Sequence, residues 1–464
     1  MKSLRSFIAG AVVASMVSVA SAQQAPPPPG PPRPFQLPTP ATISLPNGID
    51  ATFVDFGSVP KVSVVVSVRT GNLNEGDRTW LADLTGDLLK EGSSDRNAGE
   101  IADAATLMGG QLGIGVTADE TVLSLDVLSE YGADAVGLLA EVLTKPALPE
   151  TELQRIRQDY LRNLSVQVTQ PQAIAGAAMA DLLYPEHPYG KSFPTPEQLN
   201  SYSIADVRGY YDANFGARRT HIYVAGRFDR PMVEKAIRDA FSDWREGPAP
   251  LALPPPDARL RTVKLIDRPG APQSTLRIGK RVIQPTHPDF MALSVANTLL
   301  GGVLTSRITM NLREAKGWAY SPGSSIGTHV GQATWIENAD VQSAQTGPSV
   351  TEIFNEIDLL RAEPPTAPEL TSIKNYRNGI FVMSTTTRGG LIGQLAFMNL
   401  QGLPDDWLTT FADRLYAVTP AQITQAAKDH LDPARMSVVV VGDLKTVQPQ
   451  IEAIAPLRDA IAKP

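Results

Sequence analysis

Asp83 and Asp87 are the first side chains whose spacing suggests chemistry. They stand four residues apart and share one face of a helix marked out by Trp80, Leu81, Leu84 and Leu88. Two carboxylates on one face suit a hard cation, but a useful site needs further ligands from elsewhere. The five histidines, His187, His221, His287, His329 and His430, are scattered, and none stands three or four residues from another. His187 and His287 each precede a proline and read as turn or helix-start residues rather than metal ligands. Cysteine is absent, which removes thiolate ligands, disulfides and a thiol nucleophile. Gly301-Gly302 has no Lys-Ser/Thr after it to complete a phosphate-binding loop, so its glycines point to close backbone approach. Arg313 falls in the last turn of a helix closed by Gly317, where a positive charge complements the helix dipole, and Tyr320 lies in an expected strand over 318–321.

The elements that must hold these residues are legible in the pattern. Asn47-Gly48 marks a turn between short strands, residues 61–68 and 122–127 alternate as strands, and the Trp80 segment has helical period. The same punctuation then recurs. Ser203-Ile204-Ala205-Asp206 opens a helix that leads to a strand over 220–225 and Gly226, while Thr419-Pro420-Ala421-Gln422 opens one that leads to 437–441 and Gly442. Ser203 to Thr419 and Gly226 to Gly442 are both separations of 216 residues. Pro149-Glu150-Thr151-Glu152 and Thr366-Ala367-Pro368-Glu369 announce a further pair of helices at nearly the same distance. The chain therefore reads as a duplicated α+β unit: two homologous domains, each an antiparallel-rich mixed sheet with helices packed on one face.

The ends and joints follow from composition. Lys2 and Arg5, the apolar run from Phe7 to Val19 and Ala20-Ser21-Ala22 make residues 1–22 a cleavable signal peptide, so the mature protein is expected in the periplasm. That run is shorter than the roughly 20 residues of a membrane span, and no later segment qualifies. Residues 23–41 are a proline-rich leader and 247–259 a proline-rich linker, which leaves domains at 42–246 and 260–464. A net charge of −7 without a basic stripe argues against a nucleic-acid partner.

The whole of residues 42–455 resembles the pitrilysin/insulysin (inverzincin) family of zinc metallopeptidases, in the bacterial two-domain group related to mitochondrial processing peptidase. Active members carry H-x-x-E-H on the first helix, where two His bind zinc and the Glu activates water. Matching Glu91-Gly92-Ser93 to the family's closing K-G-T puts Asp83 and Asp87 at the His positions and Gly86 at the Glu position. All three are changed. The later Glu ligand is also unmatched, in Gln158-Asp159-Tyr160-Leu161-Arg162-Asn163. In contrast, Gly301-Gly302, Ser306-Arg307 and the Arg313-to-Tyr320 spacing are similar to the family's glycine loop and R-E-x-x-G-x-x-Y signature. The resemblance implies that Arg313 and Tyr320 hydrogen-bond a substrate carbonyl near the scissile bond. It further implies a chain that binds no metal itself. Such a chain is a non-zinc subunit that pairs with a zinc-bearing paralogue, as a heterodimer or dimer of dimers, and hydrolyses peptides only in that complex. The alternative is a periplasmic peptide-binding or scaffold protein without hydrolysis.

Overall fold

The structure, a computed structural model, describes residues 37–256 and 261–462. The expected signal peptide, most of the proline-rich leader and residues 257–259 of the linker lie outside the described residues. Two sheets are formed. The first contains β1 (Ala41–Ser44), β2 (Asp50–Asp55), β3 (Lys61–Val68), β4 (Gly113–Val116), β5 (Thr121–Leu128) and β6 (Thr220–Gly226), in spatial order β1-β2-β6-β3-β5-β4. The second contains β7 (Val263–Asp267), β8 (Gln273–Val282), β9 (Gly323–His329), β10 (Gln332–Gln342) and β11 (Ser437–Gly442), in order β7-β11-β8-β10-β9. Without β1 the two orders coincide, and each sheet has one parallel pair, β2 with β6 and β7 with β11, among antiparallel neighbours. The duplication read from punctuation is thus a duplication of topology.

Local chemistry accounts for the repeated elements. Ser203 and Thr419 each cap a helix, Ile204–Asn214 and Pro420–His430, in a reciprocal capping box with Asp206 and Gln422. Gly48 turns the β1–β2 hairpin at φ 98°, a left-handed conformation that glycine tolerates.

Four consecutive valines in β11, all buried, require cover on both faces of the sheet. Val438 and Val440 enter the core of the C-terminal half, while Val439 and Val441 pack against Ala175, Ala178 and Met179 of the Pro171–Leu183 helix from the N-terminal half. The exchange is mutual. In β6, Ile222 and Val224 face the N-terminal core, and Tyr223 and Ala225 meet Leu391, Ile392 and Leu395 of the Arg388–Gln401 helix from the C-terminal half. Each sheet carries its own helices on one face and a helix lent by the other half on the opposite face. Leu37, in the last part of the leader, is half-buried against the second of these shared clusters. Arg388 strengthens the seam with a two-pronged contact on Asp126 of β5, at 3.0 and 3.1 Å.

Candidate functional site

The Leu81–Leu89 helix begins without a side-chain cap, behind Trp80 held at φ 68°. Glu75 supplies the cap from a distance, accepting the amides of Trp80 and Ala82 at 3.0 Å each and the Asn72 side-chain amide at 3.2 Å. Burial outweighs these bonds and pushes the Glu75 carboxyl up to about 7. Sequence reading missed Glu75, since nothing local distinguishes it from a loop acid.

Asp83 and Asp87 lie on this helix, but each is committed to other partners. Asp83 accepts the Asn72 side-chain amide at 2.6 Å, and burial raises its carboxyl above the usual range, with Asp87 adding repulsion. Asp87 accepts the Tyr160 hydroxyl at 2.7 Å and pairs with Lys90 at 2.7 Å. Tyr160 comes from the Glu150–Gln167 helix, where the resemblance would place the later Glu ligand, and its hydroxyl is driven up by burial and by Asp87. Gly86 faces the edge strand: a Cβ placed there would lie 2.5 Å from Val116 Cγ2 of β4. A glutamate at this position has no room for its stem. Matched to the family's zinc motif as the sequence suggests, these residues do not fit it, because a Cβ at Gly86 would meet Val116 and the two carboxylates are spent on an amide, a phenol and an ammonium group.

The segment bearing Arg313 differs from expectation in an instructive way. The helix starts at Arg307–Thr309 and widens into a π turn over Met310–Ala315, a geometry that recurs at functional sites. No strand forms over 318–321; only Ala319 makes a single bridge, to Val341, because Pro322 follows and the backbone turns into β9. The segment is firmly held. Arg307 grips Glu369 with two bonds of 2.8 and 2.9 Å, Asn311 donates to Glu352 and Glu356, and Lys316 pairs with Glu352 at 2.9 Å. From this frame the Arg313 guanidinium sits 5.3 Å from the Tyr320 ring centre, in cation–π range. Tyr320 is 79% exposed, and the ion pair recorded for Arg313 is with the adjacent Glu314, at 3.3 Å. An exposed phenol is thus presented beside a half-buried guanidinium, on a segment anchored by other side chains.

Gly301 and Gly302 close the Phe290–Leu300 helix against β9 and β10. A Cβ on Gly301 would lie 2.5 to 2.7 Å from Ser324 and Glu337, and one on Gly302 2.8 Å from Thr298. Glu337 is 1% exposed and neither carboxyl oxygen has a hydrogen bond of normal geometry, so burial raises it well above the usual carboxylate range. Among the described residues no hydrogen bond, ion pair or ring contact joins Asp83 or Asp87 to Arg313 or Tyr320. The histidines divide. His187 caps the turn at Tyr189, the half-buried His221 stacks on Tyr223 and is lowered to about 4 by desolvation, and His329 pairs with Asp119 at 3.2 Å. His287 and His430 come together with Asp289.

Comparison with known proteins agrees with this fold. Residues 57–197 match the model of the insulinase family, peptidase family M16, and residues 201–376 match that of the peptidase M16 inactive domain. An uncharacterized zinc protease of Streptomyces coelicolor is 24% identical over 90% of this chain and 92% of its own. The crystal structure of a peptidase M16 inactive domain from Pseudomonas fluorescens superposes with a TM-score of 0.80 at 24% identity, covering 87% of this chain and 98% of that one. The periplasmic protease PqqL of Escherichia coli gives a TM-score of 0.77 at 15% identity, over 91% of this chain and 47% of its own length. No helix among the described residues is long and apolar enough to cross a membrane.

Proposed function

This chain is a member of the M16, pitrilysin-type peptidase family without the family's zinc motif, and from that premise we propose that it is the subunit without the catalytic zinc in a periplasmic heteromeric peptidase. In this reading a zinc-bearing paralogue supplies the metal and the water. The present chain supplies Arg313 and Tyr320, which hydrogen-bond the substrate peptide's carbonyl and stabilise the negative charge that develops on it during attack. The observation that carries the reading is the placement of Arg313 on an anchored π turn beside Tyr320, which is 79% exposed. The filled position at Gly86 supports it from the other side, since the first half has no space for a catalytic glutamate.

Purification of the mature protein from its native host without chelator tests the proposal. The expected result is a stoichiometric zinc-bearing paralogue whose peptidase activity disappears when the two are separated. In the reconstituted pair, Arg313→Ala and Tyr320→Phe each lower kcat/KM by on the order of 100-fold while assembly is kept. Unchanged kinetics would refute the assignment of these residues. A partner-free and inactive protein that binds peptides saturably would instead establish the non-hydrolytic alternative.

A further inference from the structure

His287 and His430 are 143 residues apart in the chain and neighbours in the fold. His287 stands in the turn before the Phe290–Leu300 helix, and His430 ends the Pro420–His430 helix that packs on it in the C-terminal core. Between them lies Asp289. It occupies the N-cap position of the first helix, where an aspartate ordinarily accepts an amide of the first turn, yet its side chain makes no capping bond. Its Oδ2 instead lies 3.4 Å from His430 Nε2 and 3.8 Å from His287 Nδ1. The two imidazole rings are 5.6 Å apart and close to perpendicular, at 78°. One donor atom from each of the three residues lies within 4.8 Å of the other two.

We propose that His287, Asp289 and His430 form a binding site for one divalent transition-metal ion of the zinc class, with water completing its coordination. Bonds of about 2.0–2.1 Å in a tetrahedron put neighbouring donor atoms roughly 3.3–3.4 Å apart. The Asp289–His430 separation already has this value, and the His287 nitrogen is less than half an ångström further out. Two imidazoles with one carboxylate suit zinc and its neighbours in the first transition row, whereas magnesium and calcium take oxygen shells. Pro288 restricts the backbone between the two ligands of the turn. His287 Nδ1 receives the Asp289 amide at 3.1 Å, and coordination exchanges that bond for one to the metal. His287 and Asp289 are exposed, and His430 borders a groove of about 280 Å³ with Asp429, so an ion reaches the site from solvent. The site shares no residue with Asp83, Asp87, Arg313 or Tyr320, and it stands or falls independently of the peptidase reading.

The test uses the full chain, stripped with chelator and titrated with Zn²⁺ by calorimetry and with Co²⁺ by visible absorption. The expected result is one ion per chain and an intense Co²⁺ spectrum of low-coordinate type. His430→Ala and Asp289→Asn each weaken binding by at least about the 10–100-fold that loss of a supporting contact costs a metal site. They also abolish the zinc-induced rise in Tm, while Asp83→Asn with Asp87→Asn leaves both unchanged. Metal-free unfolding midpoints identify any variant that fails to fold; Asp289→Asn, at an exposed position, decides the matter if His430→Ala does not fold. Absence of a 1:1 site, retention of affinity in Asp289→Asn, or loss of it in the Asp83/Asp87 variant would each overturn the proposal.

Discussion

Gly86→Ala puts the filled zinc position to a quantitative test, because two effects of known size oppose each other there. Gly86 lies inside the Leu81–Leu89 helix, where replacing glycine by alanine ordinarily stabilises by about 1 kcal/mol. The new methyl carbon, however, falls 2.5 Å from Val116 Cγ2, far inside van der Waals contact. Val116 is β-branched and sits in a strand, so it has few rotamers in which to retreat. Overpacking of this kind costs about 1–3 kcal/mol. The steric term wins, and Gly86→Ala is expected to be destabilising by about 1 kcal/mol. In a Val116→Ala background the clash is gone and the same change becomes stabilising by about 1 kcal/mol, so the double-mutant cycle has a coupling of about 1–3 kcal/mol. Urea unfolding of the four proteins at one pH measures this. A stabilising Gly86→Ala in the wild-type background, with additive effects in the cycle, would refute the claim that Val116 occupies the space a catalytic glutamate requires.

Glu75 makes a pH prediction. Its carboxyl is raised from 4.5 to about 7 by folding, so the folded state holds the proton more tightly; the stability it contributes is complete below the unfolded value and is lost as pH rises through 7. Wild type minus Glu75→Gln, compared by urea unfolding, should therefore decline by about 1.4 kcal/mol per pH unit between roughly pH 5 and 6.5 and level off above about 7.5; parallel profiles would contradict the assignment. Leu391, 2% exposed and part of the cluster shared with Val54 and Tyr223, should cost about 2–5 kcal/mol when cut to alanine. Because that cluster belongs to both halves, calorimetry should show both melting together at a lower temperature, and separate transitions for the two halves would count against the exchanged helices as a joint. Removing the Arg388 charge by Arg388→Met should change stability by at most about 1 kcal/mol, since Asp126 is partly exposed and keeps Lys61.

Much of the fold was legible because it is written in short-range terms. Alternation in β3 and β5, the helical period around Leu84, and the caps at Ser203 and Thr419 depend on neighbours within a few residues, and the fixed separation of 216 residues exposed the duplication. The altered motif at Asp83, Gly86 and Asp87 was equally plain, since residue type alone removes the imidazoles and the glutamate. What fills the vacated positions was not. Val116 against Gly86 and Tyr160 on Asp87 join segments 30 and 73 residues apart, and many other side chains of similar size or polarity meet the same local rules. The π turn under Arg313 also escaped, and its anchors, Glu352 and Glu356 on Asn311, come from a helix some 40 residues further on.

The sequence by itself determined the α+β class, the repeat and the loss of the metal-binding residue types, all of which follow from periodicity, capping and side-chain chemistry. Only the tertiary structure decided that each half lends a helix to the other's sheet, that Glu75 caps a helix it does not belong to, and that His287, Asp289 and His430 meet. Those outcomes depend on packing between distant segments, which no local pattern encodes.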